Sequence, residues 1–500
     1  MENIVNNTYL SLIDRFKSKK ILVIGDLILD VYFSGACTRI SPEAPVPIVD
    51  VHNKKYCLGG AANVAANLRA LGCQTVFCSV TGKDNGRDTA LNLLKQANIS
   101  SPDLLYDNQR NTLVKTRITT AEQCLIRIDE GTTDSISSLT ERNLIAQIEK
   151  LYEDCDAVLI ADYDKGIITQ GLILALEKLI LKKRKFIAVD SKKLEAFKKL
   201  KPDLIKPNYK EFIRLIGSKE MHENRIEQVR SAGKTLFDKC NAHMSAVTLD
   251  KEGVVLFCKG NFELHVPAQA VKSPHVSGAG DSFISALLLA LLSNGNRQES
   301  VAIAMETAKI AIEKEDTSFC SKSELRIAFS KDTKAITSSS SLREISHFYH
   351  SQGKKIVFTN GCFDILHRGH IEYLNQAKKL GDILIVGINN DGSIKRLKGP
   401  DRPINNLLDR IEVLSALGCV DHVFSFGNVA DDTPINLIEL VRPHIFVKGG
   451  DYKDKIIPET QVLKECGSKI QFLPFVKNLS TSNIINKINN RTNLKIVKTG

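Results

Sequence analysis

The sequence predicts an α/β protein of two domains, each built around a mostly parallel sheet. Three observations carry this. Short β-rich runs repeatedly end at an acidic residue or a glycine, helical patterns separate those runs, and one polar, serine-rich stretch interrupts the alternation. In the first half, Ile21–Ile24 runs into Gly25-Asp26, Val158–Ala161 into Asp162, Phe186–Val189 into Asp190, and Ala246–Leu249 into Asp250. Between them lie helical patterns such as Gly171–Leu181. Such alternation argues for a sheet covered on both faces, with ligands bound at the carboxyl ends of its strands.

In the second half, Ile356–Thr359, Ile383–Ile388, His422–Phe426, Ile445–Lys448 and Ile470–Leu473 read as strands with helices between them. That pattern over about 150 residues suits a compact Rossmann-like domain. Residues 330–341 (SKDTKAITSSSS) lack apolar periodicity and have linker composition. The expected organisation is therefore a first domain at 1–328, a linker at 329–344 and a second domain at 345–500.

Composition excludes several classes. Hydrophobic residues make up 43% of the 500 and charged residues 25%, as in a soluble globular protein. The longest apolar run, Phe283–Leu292, is half a membrane span and reads as a buried helix. The N-terminal stretch has no basic segment followed by an apolar one, so no secretory signal is expected. None of the twelve cysteines forms a Cys-x-x-Cys pair, and most sit in apolar segments, as Cys258 and Cys362 do. Reduced, buried thiols in a cytoplasmic protein explain this better than disulfides or a zinc site. The net charge of +11 would favour phosphorylated ligands, although runs such as Lys182–Lys185 read as solvated surface. No Trp and no nucleic-acid motif accompany the charge, so a nucleic-acid partner is not expected.

The sharpest motif in the first half is Ser277-Gly278-Ala279-Gly280-Asp281, which opens the apolar helix Ser282–Leu292. Small residues at a helix start let backbone N–H groups approach an anion, and the helix dipole adds positive potential. Asp281 stands where it can take a proton from a hydroxyl that attacks a phosphate. Gly59-Gly60-Ala61-Ala62-Asn63 precedes a helix and places Asn63 to bond a polyol; Asp30, just past the first strand, can accept from sugar hydroxyls. Asn208 and Glu211 follow a strand and offer oxygens near a metal-phosphate group, and Thr248 ends another strand.

These segments resemble the ribokinase-like (PfkB) carbohydrate kinases over nearly all of residues 20–325. The resemblance implies that Asp281 is the catalytic base and that Gly278, Ala279 and Gly280 form the anion hole. It further implies that Asn208 and Glu211 organise Mg2+ with ATP, while Asp30, Gly59, Gly60 and Asn63 hold the sugar. Two positions depart from the family pattern: His275 stands where Asp is usual, and Asp316 where Gly is usual. Both regions serve a monovalent cation in the family, so potassium activation is not expected here. A competing reading takes Asp162-Tyr163-Asp164 as the nucleophile motif of a haloacid-dehalogenase phosphatase. Gly166 occupies the place where that motif needs Thr or Val.

In the second half, Thr359-Asn360-Gly361-Cys362-Phe363-Asp364 leads into His367-Arg368-Gly369-His370. Two imidazoles three apart at a helix start can stabilise an α-phosphate while Gly369 permits close approach. The segment resembles the signature of cytidylyltransferase-like nucleotidyltransferases. Their second phosphate motif is expected late, and Ser480-Thr481-Ser482 answers it. Between the two motifs, Lys398, Arg402 and Lys448 supply cations. Transfer needs no covalent nucleophile and no metal site made by protein alone, and Cys362 reads as packing.

The pairing of the two halves is similar to the bacterial bifunctional heptose kinase/heptose adenylyltransferase family across roughly residues 20–490. That resemblance implies ATP-dependent phosphorylation of D-glycero-β-D-manno-heptose 7-phosphate at C1. It also implies adenylyl transfer from ATP to heptose 1-phosphate, with a separate phosphatase acting between the steps. Two enzymatic alternatives are a PfkB-type kinase of another sugar fused to a cytidylyltransferase, and an active transferase beside a kinase-like binding module. The segments Val114–Ile118 and Cys124–Ile128 can form a β lid, through which kinases of this type pair as homodimers.

Overall fold

A computed structural model describes residues 2–101, 104–120, 123–271, 278–314, 318–330, 334–336, 338–452 and 457–474. His275, Asp316 and the late motif Ser480-Thr481-Ser482 lie outside the described residues. The chain divides into two compact units, one of Asn7–Leu325 and one that joins Met1–Asn6 to Arg326–Gly500.

In the first unit the sheet has eight strands, in the spatial order Asn261–Val266, Val254–Cys258, Met244–Thr248, Leu204–Ile205, Phe186–Ser191, Ala157–Asp162, Lys20–Gly25, Gln74–Cys78. Neighbours pair in parallel from Met244–Thr248 through to Gln74–Cys78, and the two strands at the other edge are antiparallel. The inner strands are buried on both faces, so they are continuous runs of Val, Ile, Leu and Ala rather than alternating patterns. The apolar helix Ala279–Leu292 packs against Ala61–Ala70 and Arg297–Ile312, which explains why it is hydrophobic nearly all round.

A second sheet of four strands forms the expected lid. Leu113–Thr119 and Cys124–Glu130 pair antiparallel, and they continue into Leu27–Ile40 and Pro47–Gly60. The last two are the longest strands in the unit, yet His52-Asn53-Lys54-Lys55 has no apolar alternation to announce one of them. Burial explains this. Leu27–Ile40 is buried only at its beginning and runs out into solvent, so its outer residues carry no core pattern.

In the second unit six parallel strands lie in the order Ala335–Ile336, His422–Phe426, Ile383–Asn389, Ile356–Gly361, Ile445–Gly449, Lys469–Leu473. The chain reverses its direction of travel across the sheet at Ile356–Gly361, so this strand ends at the switch point where open α/β sheets bind ligands. Adjacent residues serve opposite faces: Val357, Val386 and Val447 join one apolar cluster, Phe358, Ile385 and Phe446 the other.

The segment expected to be a linker differs. Ala335–Ile336 pairs with His422–Phe426, and Ser338 caps the helix Ser339–Ser351 by accepting from the Ser341 N–H at 3.1 Å. The serines that suggest a linker by composition act here as cap and first turn of a helix whose apolar face starts at Leu342.

Candidate active sites

In the first unit, Asp281 sits in the first turn of the helix Ala279–Leu292. Gly278 precedes it at φ 87° with no side chain capping the helix. The left-handed backbone there favours glycine, and a glycine N-cap brings no side chain to the first N–H groups, which can donate to an anion. Both Asp281 oxygens accept hydrogen bonds, one from Asn63 Nδ2 at 2.7 Å and one from the Tyr163 hydroxyl at 2.5 Å. Burial pushes the Asp281 carboxyl upward, and the bonds from Tyr163 and Asn63 with the charge of Lys206 oppose it. Asn63 is itself held. Its Oδ1 accepts from Asn67, whose own Oδ1 accepts from Ser282 at 2.6 Å.

Lys206 lies beside this helix start: a methyl group on Gly280 would come within 3.1 Å of its Nζ. The buried ammonium pairs with the half-buried Asp190 at 3.1 Å. Burial opposes charge on Lys206, but Asp190 and Glu211 outweigh it, so the ammonium is held protonated. Burial raises Asp190 to about 7 against the pull of Lys206.

The expected sugar residues come together. Asp30 accepts from Arg117 at 2.6 Å, and a methyl on Gly59 would fall 2.3 Å from Asp30 Oδ2. Gly60 begins the helix that carries Asn63. The expected nucleotide residues are also adjacent: Asn208 and Thr248 are bridge partners. Asn208 and Glu211 form a reciprocal capping box on Tyr209–Ile216, each accepting at 2.9 Å, so one oxygen of each is engaged by backbone.

Asp162-Tyr163-Asp164 is not a centre of its own. Asp162 accepts from Ser191 at 2.6 Å, Asp164 pairs with Lys193 at 2.6 Å, and Tyr163 reaches Asp281. Sequence reasoning assigned no role to Lys206, Tyr163 or Asp26. Position at a strand's carboxyl end was the available signal for Asp26, which burial raises to about 6.

In the second unit, His367 occupies the N-cap of Arg368–Lys378 and stacks on His370 with ring centroids 3.9 Å apart. The Nδ1 atoms of both rings, and Asn360 Oδ1, are buried without a hydrogen-bond partner among the described residues. Burial lowers both histidines. His370 falls to about 4, with His367 and Lys398 adding to the effect, so its ring is neutral near pH 7. These three polar atoms beside the switch point are available to a polar ligand. Phe363, at φ 45°, lies in the left-handed region and sets the edge of its ring on His370 at 5.3 Å.

The other expected residues divide. Lys398 ends the helix Asp391–Lys398, near enough to act on His370. Thr359 is fully buried, its hydroxyl bonded to the Val447 carbonyl at 3.0 Å and to Tyr373 at 2.7 Å. Arg402 is paired with Asp364 at 2.5 Å, and that carboxylate also accepts from the N–H groups of Ile404 and Asn405. Lys448 pairs with Glu459 at 3.1 Å, and both are buried. Arg402 and Lys448 thus enter the site as paired rather than free cations. Sequence reasoning missed Arg410, a buried guanidinium that donates to the carbonyls of Cys362, Asn389 and Asn405 and to Asp391. A lone Arg in an amphipathic helix carries no sequence mark of such a role.

Comparison with known proteins agrees with this division. The family model for pfkB family carbohydrate kinases matches residues 18–324, and the cytidylyltransferase-like model matches 358–487. Phosphofructokinase-2 from Escherichia coli, in complex with potassium, superposes with a TM-score of 0.52 at 19% identity, over 62% of this chain and 98% of that one. At that identity the likeness concerns the fold of the first unit. Fold and sites together define a two-part transferase, a carbohydrate kinase joined to a nucleotidyltransferase. "Bifunctional protein HldE" from Helicobacter pylori (strain J99) is 38% identical over 471 residues, 94% of this chain and 98% of the relative. The protein of the same name from Syntrophotalea carbinolica is 36% identical over 484 residues, 96% and 97% respectively. The chain belongs to this bifunctional HldE family.

Proposed function

We propose that the first unit phosphorylates D-glycero-β-D-manno-heptose 7-phosphate at C1 with ATP, and that the second transfers AMP from ATP to heptose 1-phosphate, giving ADP-heptose and pyrophosphate. The observation that carries this reading is the pair of sites: a half-buried carboxylate at a glycine-led helix start, and a stacked histidine pair at a switch point.

In the kinase site the C1 hydroxyl attacks the γ-phosphorus. Its proton passes to Asp281, the new O–P bond forms, and the bond to the bridging oxygen of ADP breaks. Lys206 and the helix N–H groups face the charge that develops on the phosphoryl oxygens. In the transferase site a phosphate oxygen of the sugar attacks the α-phosphorus and pyrophosphate leaves, while His367 and His370 donate to the charged oxygens. Bound with ATP, Mg2+ would supply positive charge against the phosphates. In the kinase site Asn208 and Glu211 would help hold it, alongside phosphate and water.

The 7-phosphate is removed by a separate phosphatase between the two steps. The lid supports a homodimer, since Ile40, Val51, Ile126 and Ile128 are exposed apolar residues on its strands. No described helix is long and apolar enough to cross a membrane, and all twelve cysteines are free, as suits a reducing, cytoplasmic setting. The test is direct. Heptose 7-phosphate, ATP and Mg2+ should give a 1,7-bisphosphate by mass spectrometry, and heptose 1-phosphate with a nucleotide panel should give ADP-heptose with ATP. CTP preferred over ATP, or no bisphosphate, would overturn the corresponding half.

A further inference from the structure

The loop after the strand Ala157–Asp162 is tied down from two sides, although it contributes no residue to the expected sugar or nucleotide contacts. From one side the buried Asp26 carboxylate accepts the backbone N–H of Tyr163 at 2.8 Å and those of Lys165 and Ile167 at 3.3 Å each. From the other, Arg110 donates to the Lys165 carbonyl at 2.7 Å while also binding the Thr132 and Asp134 carbonyls. Gly166 turns the chain at φ 87°, and a methyl there would meet the Asp134 carbonyl at 2.0 Å. The result of this anchoring is one placement: the Tyr163 hydroxyl 2.5 Å from Asp281 Oδ1.

We infer that Tyr163 is a positioning residue for the kinase base. Its hydroxyl, fixed by the loop that Asp26 anchors, holds the Asp281 carboxylate in the orientation that receives the sugar hydroxyl's proton. The inference rests on Asp281 being that base. With Asn63 on the other oxygen, the carboxylate is gripped at both ends, and each oxygen keeps a lone pair for substrate. The groups facing this centre are Tyr163, Asn63, Lys206 and Asp30, with Asp190 and Asp26 near Tyr163. Burial and the charge of Asp281 push the Tyr163 phenol well up, so it remains a donor at every working pH. Burial pushes the Asp281 carboxyl up, and the hydrogen bond from Tyr163 opposes that rise.

The test uses the full chain. Tyr163→Phe removes one donor and almost no volume. The kinase kcat should fall about 10- to 100-fold with the sugar KM little changed, and the acid limb of kcat/KM should move up by about one pH unit. A fluorotyrosine at 163, nearly isosteric and a stronger donor, should move the same limb down. If Tyr163→Phe is insoluble, Asp26→Asn, which loosens the loop without touching Asp281, should reproduce the upward shift. A limb that stays in place in the soluble variants overturns the inference, because a merely structural tyrosine would not set it. Asp281→Asn separates the two claims. If that variant still phosphorylates sugar, the base assignment fails; if it is inactive and the limb is unmoved by residue 163, only the role of Tyr163 fails.

Discussion

Replacing His370 by Ala gives the most informative perturbation of the transferase site. The ring stacks on His367 with centroids 3.9 Å apart, and each Nδ1 is buried without a partner among the described residues. An unpaired polar atom in such a place carries a desolvation cost that a bound phosphate relieves. His370, lowered to about 4 by burial, His367 and Lys398, enters the reaction neutral and donates through one N–H. Removing one preorganised donor from a dry phosphate site typically lowers kcat by about 10²–10³, or about 3–4 kcal/mol. The assay is pyrophosphate release from ATP and heptose 1-phosphate, with sugar phosphorylation by the same preparation as the internal reference. The kinase rate should not change. A loss below about tenfold would remove His370 from the phosphate-binding role, since one missing donor should cost more than that. An equal loss in both activities would show that the variant damages the protein rather than the site.

Three further outcomes follow from the geometry. Gly59→Ala puts a methyl 2.3 Å from Asp30 Oδ2, so the carboxylate must turn away from Arg117; the sugar KM should rise about 10- to 100-fold with little change in melting temperature, read by kinase kinetics and calorimetry. Arg410→Met leaves the buried carbonyls of Cys362 and Asn389 without their donor, so denaturant unfolding should show a loss of about 3 kcal/mol or more and transferase activity should collapse with it. His422 is lowered from 6.5 to about 4 by burial, so its contribution is complete above pH 6.5 and is lost as pH falls through about 4. At about 1.4 kcal/mol per pH unit this is about 3 kcal/mol, and in His422→Gln the stability of the second unit should depend less steeply on pH across that window.

Much of this was legible in the sequence, for a physical reason. Strands buried on both faces must be continuous apolar runs, and the acids or glycines that end them stand at the ligand edge; Asp26, Asp162 and Asp190 could be placed that way. The motifs around Asp281 and around His367–His370 were local enough to read directly. What escaped depends on contacts between distant segments. Tyr163 reaches Asp281 across 118 positions, and Arg410 reaches Cys362 across 48. Most of Pro47–Gly60 and the far half of Leu27–Ile40 escaped because they run out into solvent and carry no core pattern, and the serines of 338–341 because a cap and a linker share a composition. Arg402 and Lys448 stand out in the sequence as cations, but their partners Asp364 and Glu459 become apparent only in the fold.

The central claim is that one chain holds two separable active sites, one centred on Asp281 and one on His367 and His370. The most direct measurement assays both reactions in two variants, Asp281→Asn and His370→Ala. The account predicts a crossed pattern: Asp281→Asn loses sugar phosphorylation by about 10²-fold or more and keeps nucleotidyl transfer, and His370→Ala does the reverse. Sugar phosphorylation that persists in Asp281→Asn, or both activities lost together in either variant, would contradict it.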